Sequence, residues 1–411
     1  MKKIFFGWFI VAAALLLMTY NSVLFVYGFT AFMDPIVATF SWGYAQISFA
    51  SSLRGLETGS LDPLVGIAAD RWPARRLMFI GITIYALGAI CISRATNLAM
   101  FYAGFLIVGL GGAIGTTMVP TTVIARWFKK NIGKASGFLS TGVAIGGIFA
   151  PLIVKAIDTF TWQNTLMYLA FGMLIMGIPL SFLFRDRPEE YGLLPDGEKQ
   201  TDAEIPETHA SGVGVREALK MRAFWCIGIA TMLQMTAIHG LTIHMMPYLT
   251  SIEIERSSAA IAVTVFSIIT IVSRIVYGFL ADIFNKKNVI ALSMLLTAIG
   301  LVMFQLLDGS SFAMVILFAV VYGIGAAGAM PLRTPIIREY FGVRKFGTIF
   351  GMLAFFLTIG SAAGAPLAGW VYDTRGVYDP IWYIYAGINV VGILLILIMR
   401  PSDNQSGPRA I

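Results

Sequence analysis

The stretch FSIITIVSRIVYGFLAD, residues 266–282, sets one permanent cation, Arg274, inside an otherwise apolar run. A guanidinium offers a planar fork of N–H donors that matches a carboxylate, so an arginine held in such a setting points to recognition of an anion. The competing reading is a structural arginine, paired with an acid or reaching along its own stem toward the membrane edge. Arg274 lies eight residues before Asp282, about 12 Å along a helix, and its side chain covers only part of that depth. A second polar set occupies SSLRGLETGSLDPLVG, residues 51–66. Arg54 and Glu57, three apart, share a helix face and can neutralise one another. Alternatively Glu57 or Asp62, set in a cavity, loads and releases a proton, and Arg54 is then available to a second negative charge. His239 and His244 are five apart, about 140° on a helix, so the two cannot face one cavity. A histidine can both hydrogen-bond a carboxylate and titrate near neutral pH. Tyr20, Asn21, Tyr27, Thr116 and Thr117 are further polar candidates, of residue types that equally serve to bond packed helices together.

The elements that must position these groups are membrane spans. Of 411 residues, 57% are apolar and 12% charged, and the mean hydropathy is +0.79, well outside the balance of soluble domains. About 20 apolar residues cross a bilayer as a helix, and the pattern predicts twelve spans: 4–30, 43–69, 77–95, 98–127, 134–157, 163–184, 223–249, 258–281, 288–307, 311–340, 346–371 and 380–399. The first is too long for a cleaved signal peptide and is expected to be retained. Alternating the loops from a cytoplasmic N-terminus puts 22 Lys/Arg on that side and four (Arg94, Lys155, Arg256, Arg375) on the other. This bias predicts a multi-pass protein of the inner membrane with both termini cytoplasmic. It also accounts for the net charge of +7 without nucleic acid. Cys91 and Cys226 have no metal or redox spacing and read as small buried hydrophobes.

The spans fall into two sixes. Residues 185–222, rich in Pro, Gly and acids, read as a cytoplasmic linker between an N-terminal half (1–184) and a C-terminal half (223–400), with a short tail at 401–411. The halves repeat one punctuation. GIAADRWPARR (66–76) follows span 2 and GFLADIFNKK (278–287) follows span 8; GLGGAIGTTMVPTTVIARWF in span 4 is echoed by GIGAAGAMPLRTPIIREYF in span 10. Internal repeats of this kind mark secondary transporters, whose sites lie near the bilayer midplane. Asp70 and Asp282 lie within the repeated loops, where an acid can stabilise the positive N-terminal end of a helix; helices starting near Gly347 and Gly133 are the expected partners, which gives the loops a gating role. Gly323, Gly325 and Gly328 spell G-x-G-x-x-G, but inside an apolar span, without the strand that a dinucleotide site requires.

Twelve spans in two sixes, with G-x-x-x-D-R-x-P-x-R-R (Gly66, Asp70, Arg71, Pro73, Arg75, Arg76) after span 2 and a weaker copy at Gly278 and Asp282, resemble the major facilitator superfamily over nearly the whole chain. Pro73 stands where that family commonly has Gly, and Ile283 where it has a basic residue. FFGWFIV in span 1, RPEEYGLLPDG in the linker, REALKMRAFW before span 7 and the lone arginine of span 8 resemble the monocarboxylate and oxalate/formate porter branch. The resemblance implies an all-α membrane fold of twelve helices in two pseudo-symmetric halves, alternating access, and spans 1, 2, 4, 5, 7, 8, 10 and 11 around the transport pathway. It implies carboxylate binding at Arg274 and a substrate-contacting histidine at His244. Thr270 stands where relatives often carry an acid or amide, so the acid that balances Arg274 must lie elsewhere.

Together these readings predict a secondary transporter of a small organic anion, most simply a monocarboxylate moved with a proton, working as a monomer without a cofactor or metal. The substrate set is Arg274, His244, Thr270, Asn21, Tyr27, Thr117 and Arg54; the proton set is Glu57, Asp62 and His244; the gating set is Gly66, Asp70, Arg71, Arg75, Gly278 and Asp282. An organic anion or dicarboxylate antiporter or efflux carrier is the alternative, kept open by Arg54. A membrane sensor or an intramembrane enzyme is disfavoured, since no output domain and no nucleophile, base or metal set converges in the sequence.

Overall fold

In the computed structural model, residues 5–42, 44–197, 212–308, 311–378 and 380–399 are described. They form twelve long helical rods. α1 runs over 7–40 as Gly7–Asn21, a π turn at Ser22–Tyr27, and Gly28–Phe40. α2 is Tyr44–Arg71 and α3 Ala74–Ser93. α4 covers 98–127 as Leu98–Gly112, a second π turn at Ala113–Met118, and Val119–Trp127. α5 covers 132–160 and α6 is Trp162–Ser181. After a short helix at Val215–Lys220 come α7 (Arg222–Ser251), α8 (Arg256–Ile283), α9 (Lys286–Gln305), α10 (312–341), α11 (Phe346–Arg375) and α12 (Ile381–Ile398).

Among the described residues nine helices are long and apolar enough to cross a membrane. The other three rods depart for reasons written in the sequence. α2 carries Arg54, Glu57 and Asp62; α5 breaks at Phe149, just ahead of Pro151; α10 breaks at 328–332, around Pro331, where the backbone has no N–H to donate. The largest boundary correction is in α1, which continues ten residues past its expected end. Its last turn is anchored there: the Thr39 hydroxyl donates to the Pro35 carbonyl (2.8 Å) and accepts from the Trp162 indole (3.0 Å). Phe40 stacks on Trp42 with ring centroids 4.2 Å apart.

The chain forms two compact units, residues 1–212 with 343–352, and residues 213–342 with 353–411. In the first, α3 packs on α4 and α6, α2 on α4, and α1 on α5; in the second, the corresponding α9 packs on α10 and α12, and α8 on α10. Between helices in lipid the attraction comes from close van der Waals contact rather than from expelled water, so small residues decide who meets whom. A Cβ on Gly111 would lie 2.3 Å from the backbone N of Tyr85, and one on Gly81 2.6 Å from that of Gly115, so α3 and α4 touch backbone to backbone. Gly325 does the same in the second unit, 2.3 Å from Thr297 N.

The first part of the polar stretch expected as a tether is docked on the first unit. The Asp186 carboxylate accepts from Ala74 N–H (2.8 Å), and the Trp127 indole donates to the Arg185 carbonyl (2.8 Å). The Arg185 guanidinium lies 4.1 Å from the ring centroids of both Phe6 and Tyr191. Asp196 accepts from the backbone N–H groups of Lys129, Lys130 and Asn131 and from the Asn131 amide, at 2.6–3.1 Å. The motif RPEEYGLLPDG thus includes the cap for the start of α5.

Candidate functional site

Arg274 sits half-buried on α8, with Ser273, Tyr277 and Gly278 buried beside it. One turn earlier, the Thr270 hydroxyl donates to the Phe266 carbonyl (2.8 Å) and lies 3.5 Å from the Gly323 carbonyl of α10. Gly323 permits this approach, because a Cβ there would stand 3.2 Å from the Phe266 carbonyl oxygen. Phe266 stacks on Tyr322 at 5.5 Å, so this face of α8 is locked to α10 for two turns before Arg274. Asp282 lies in the last turn of the same helix, which ends at Ile283, and Lys286, which follows, pairs with the Glu339 carboxylate at 2.6 Å.

His244 has both ring nitrogens engaged. Nε2 is 3.0 Å from the Ala365 carbonyl of α11, which can only accept, so Nε2 carries a proton; Nδ1 is 3.0 Å from the Tyr378 hydroxyl. In the neutral ring Nδ1 therefore accepts from Tyr378. Gly369 leaves the ring its space, with a Cβ position 3.7 Å from Cε1. The ring of His244, expected from the sequence to meet the substrate, joins α7 to α11 and to the aromatic group of Tyr248, Tyr372, Tyr378 and Trp382.

In the first unit, the three neighbours at the end of the first α1 segment diverge. Tyr20 donates to the Leu169 carbonyl of α6 (2.7 Å), Ser22 to the Val143 carbonyl of α5 (2.6 Å), and Asn21 Oδ1 accepts from the Tyr85 hydroxyl of α3 (3.0 Å). Thr116 donates to the Gly112 carbonyl (2.7 Å), and the half-buried Thr117 lies 3.5 Å from it. The side chains of Tyr27, Arg54 and Glu57 lie outside the described residues; Asp62 is buried in α2, its carbonyl oxygen 2.3 Å from where a Gly351 Cβ would be.

Of the sets expected from the sequence, the residues around Asp70 assemble most completely. The enclosed Asp70 carboxylate accepts from Gly347 N–H (3.0 Å), Thr348 N–H (2.9 Å) and the Thr348 hydroxyl (2.8 Å), at the first turn of α11. Those two amides are among the helix-start donors that have no partner within their own helix. Gly66 lets the backbones meet, since its Cβ would be 2.1 Å from the Gly347 carbonyl oxygen. Arg75 donates to the Phe182 carbonyl (2.8 Å), while Arg71 is exposed. Sequence reasoning missed Arg126. It is 8% exposed, donates to the Ala69 carbonyl (2.9 Å) and lies 3.5 Å from Asp70 and 3.7 Å from Asp186. A single arginine in the last turn of an apolar span was the available signal. Among the described residues no group of three or more His, Cys, Asp or Glu could hold a metal.

The sequence pattern described as the Major Facilitator Superfamily matches residues 4–255 and again 241–411. The chain is 25% identical over 408 residues to monocarboxylate transporter 13 of Rattus norvegicus, covering 96% of this chain and 89% of that one. It is 24% identical over 359 residues to the MFS transporter asaE of Aspergillus flavus, covering 85% and 76%. Its fold is similar to that of the human organic anion transporter MFSD10, with a TM-score of 0.73 at 14% identity over 95% of this chain and 99% of that one. With the repeated packing of the two units and a family match over essentially its whole length, the chain belongs to the Major Facilitator Superfamily.

Proposed function

We propose that this transporter carries a small organic monocarboxylate together with a proton, by alternating access, with the linker and both termini on the cytoplasmic side of the inner membrane. The observation that carries the reading is Arg274. A cation about 12 Å along α8 from its Asp282 end costs ~3 kcal/mol or more to insert and is retained where it meets an anion. The relatives named as monocarboxylate transporters, similar over nearly the whole chain, support a carboxylate as that anion. His244 is the proposed partner for the proton on α7, with its ring between the Ala365 carbonyl and the Tyr378 hydroxyl. Asp62 and Glu57 are the carboxylates that share this duty. Asp70 at the start of α11, joined by Arg126 and Asp186, is the gate, because its bonds must be made and broken as the carrier cycles.

The test is uptake of a labelled carboxylate panel into proteoliposomes, with and without an inward proton gradient at clamped membrane potential, for the native protein and Arg274→Ala. Loss of uptake in the variant and acceleration by the gradient are expected. Full uptake by Arg274→Ala removes the arginine's role. Indifference to the proton gradient removes symport, and exchange against internal anion then marks an antiporter.

A further inference from the structure

The chain enters the second unit through the short helix Val215–Lys220, in which Ala218 is the buried residue. Arg216 and Lys220 stand two residues before and after Ala218, each about 160° around the helix from it, so both point away from the protein. Both are exposed. Two hydrogen bonds hold this helix against the start of the next span. Ahead of it, Val213 N–H donates to the Phe341 carbonyl at the end of α10 (3.0 Å). Behind it, the Trp225 indole, one turn into α7, donates back to the Leu219 carbonyl (3.0 Å). The Trp225 ring is fixed edge-on to Phe224 at 5.7 Å and to Phe356 at 5.9 Å, yet it is 49% exposed. Arg222–Ser251 is long and apolar enough to cross a membrane, which puts the first turn of α7 at the depth of the lipid headgroups, where tryptophan collects.

The charge at this depth is of one sign. Arg216, Lys220 and Arg222 are all exposed, and among the described residues none of them makes a hydrogen bond or an ion pair. The one acid in the segment, Glu217, is spent on the backbone, its Oε2 accepting from Gly214 N–H (3.4 Å). A cation at a helix start opposes the helix dipole, and no acid stands in the first turn of α7, so helix stability does not account for Arg222.

We infer that Arg216, Lys220 and Arg222, with Trp225, bind the phosphate of an anionic phospholipid headgroup and so fasten the incoming chain to the bilayer surface at the start of α7. Guanidinium and ammonium groups are the phosphate-binding side chains, and basic residues beside a span are drawn to anionic lipid. Trp225 commits the site to a lipid, because its exposed ring offers apolar contact that a soluble phosphate cannot use. The inference requires only that α7 cross the membrane, in either direction.

The test is native mass spectrometry of the full chain in detergent with added phosphatidylglycerol or phosphatidylcholine. It compares the native protein, the triple variant Arg216→Gln/Lys220→Gln/Arg222→Gln, and a control that removes equal charge elsewhere, Arg94→Gln/Lys155→Gln/Arg375→Gln. One basic side chain near an anionic surface is worth about fivefold in affinity. The native protein and the control are expected to retain phosphatidylglycerol over phosphatidylcholine. The triple variant should bind phosphatidylglycerol at least about tenfold more weakly, and raised salt should weaken the native protein in the same direction. Phosphatidylglycerol should raise the melting temperature of the native protein and the control but not of the triple variant. If the triple variant fails to fold, the three single substitutions carry the test, each with roughly a fivefold loss. Native-like phosphatidylglycerol binding by the triple variant overturns the site. An equal loss in the control reduces the effect to net charge and overturns it too. Displacement of phosphatidylglycerol from the native protein by inorganic phosphate at equal concentration marks a soluble-anion site and overturns the lipid assignment.

Discussion

Replacing Asp70 with asparagine keeps the size of the side chain and removes its charge. The native carboxylate accepts from Gly347 N–H, Thr348 N–H and the Thr348 hydroxyl. An amide oxygen in the Oδ2 position can keep both Thr348 bonds, but the NH2 in place of Oδ1 then faces the Gly347 N–H, donor against donor. A hydrogen bond to a charged group contributes about 1.5–3 kcal/mol, and a negative charge at a helix start about 0.3–1 kcal/mol. Losing one such bond and the charge term, with Arg126 still held by the Ala69 carbonyl and Asp186, gives ~3 kcal/mol, or roughly 150-fold in the opening equilibrium of this turn. Hydrogen exchange reads that equilibrium directly. Gly347 and Thr348 stand in the first turn of α11, so Asp70 is what protects their amides. Exchange across residues 345–350 is expected to accelerate roughly 150-fold in Asp70→Asn, with α9 (residues 286–305) unchanged. Native exchange rates at 345–350 in the variant would refute the view that this carboxylate holds the helix start, and the gate with it.

Two further substitutions probe the same end of the first unit. Gly66→Ala sets a methyl 2.1 Å from the Gly347 carbonyl oxygen, against backbone that cannot rotate aside; it should cost about 1–3 kcal/mol, seen as a lowered melting temperature in detergent. Gly387→Ala, where nothing lies within 4 Å, is the control and should be neutral or stabilising. Asp196→Ala removes the acceptor for three backbone N–H groups and the Asn131 amide; a lost cap of about 1–2 kcal/mol should speed tryptic cleavage after Lys129 and Lys130 roughly five- to thirtyfold. Unchanged cleavage would mean that the linker does not hold this loop.

The helices and their repetition were legible because hydropathy and glycine punctuation act locally. A run of about 20 apolar residues has few options in lipid, and the Gly-rich runs of α4 and α10 became close helix contacts at Gly111 and Gly325. What the sequence hid was set by partners far along the chain. Asp186 and Asp196 read as solvated linker acids, yet one meets Ala74 and Arg126 and the other the loop ahead of α5. The extra ten residues of α1 depended on Trp162, more than 120 residues away. Neither π turn was expected from the sequence: SVLFVY and AIGTTM share no residue pattern, and each lies inside a continuous apolar span.

For the site itself, residue type alone cannot say which polar atoms are already committed inside the protein. Thr270 and His244 read from the sequence as groups offered to a ligand. In the fold the Thr270 hydroxyl goes to Phe266 and toward Gly323, and both nitrogens of His244 go to Ala365 and Tyr378. The Asn21 oxygen is committed in the same way, accepting from the buried Tyr85 hydroxyl of α3, a partner 64 residues along the chain that no local sequence pattern could name.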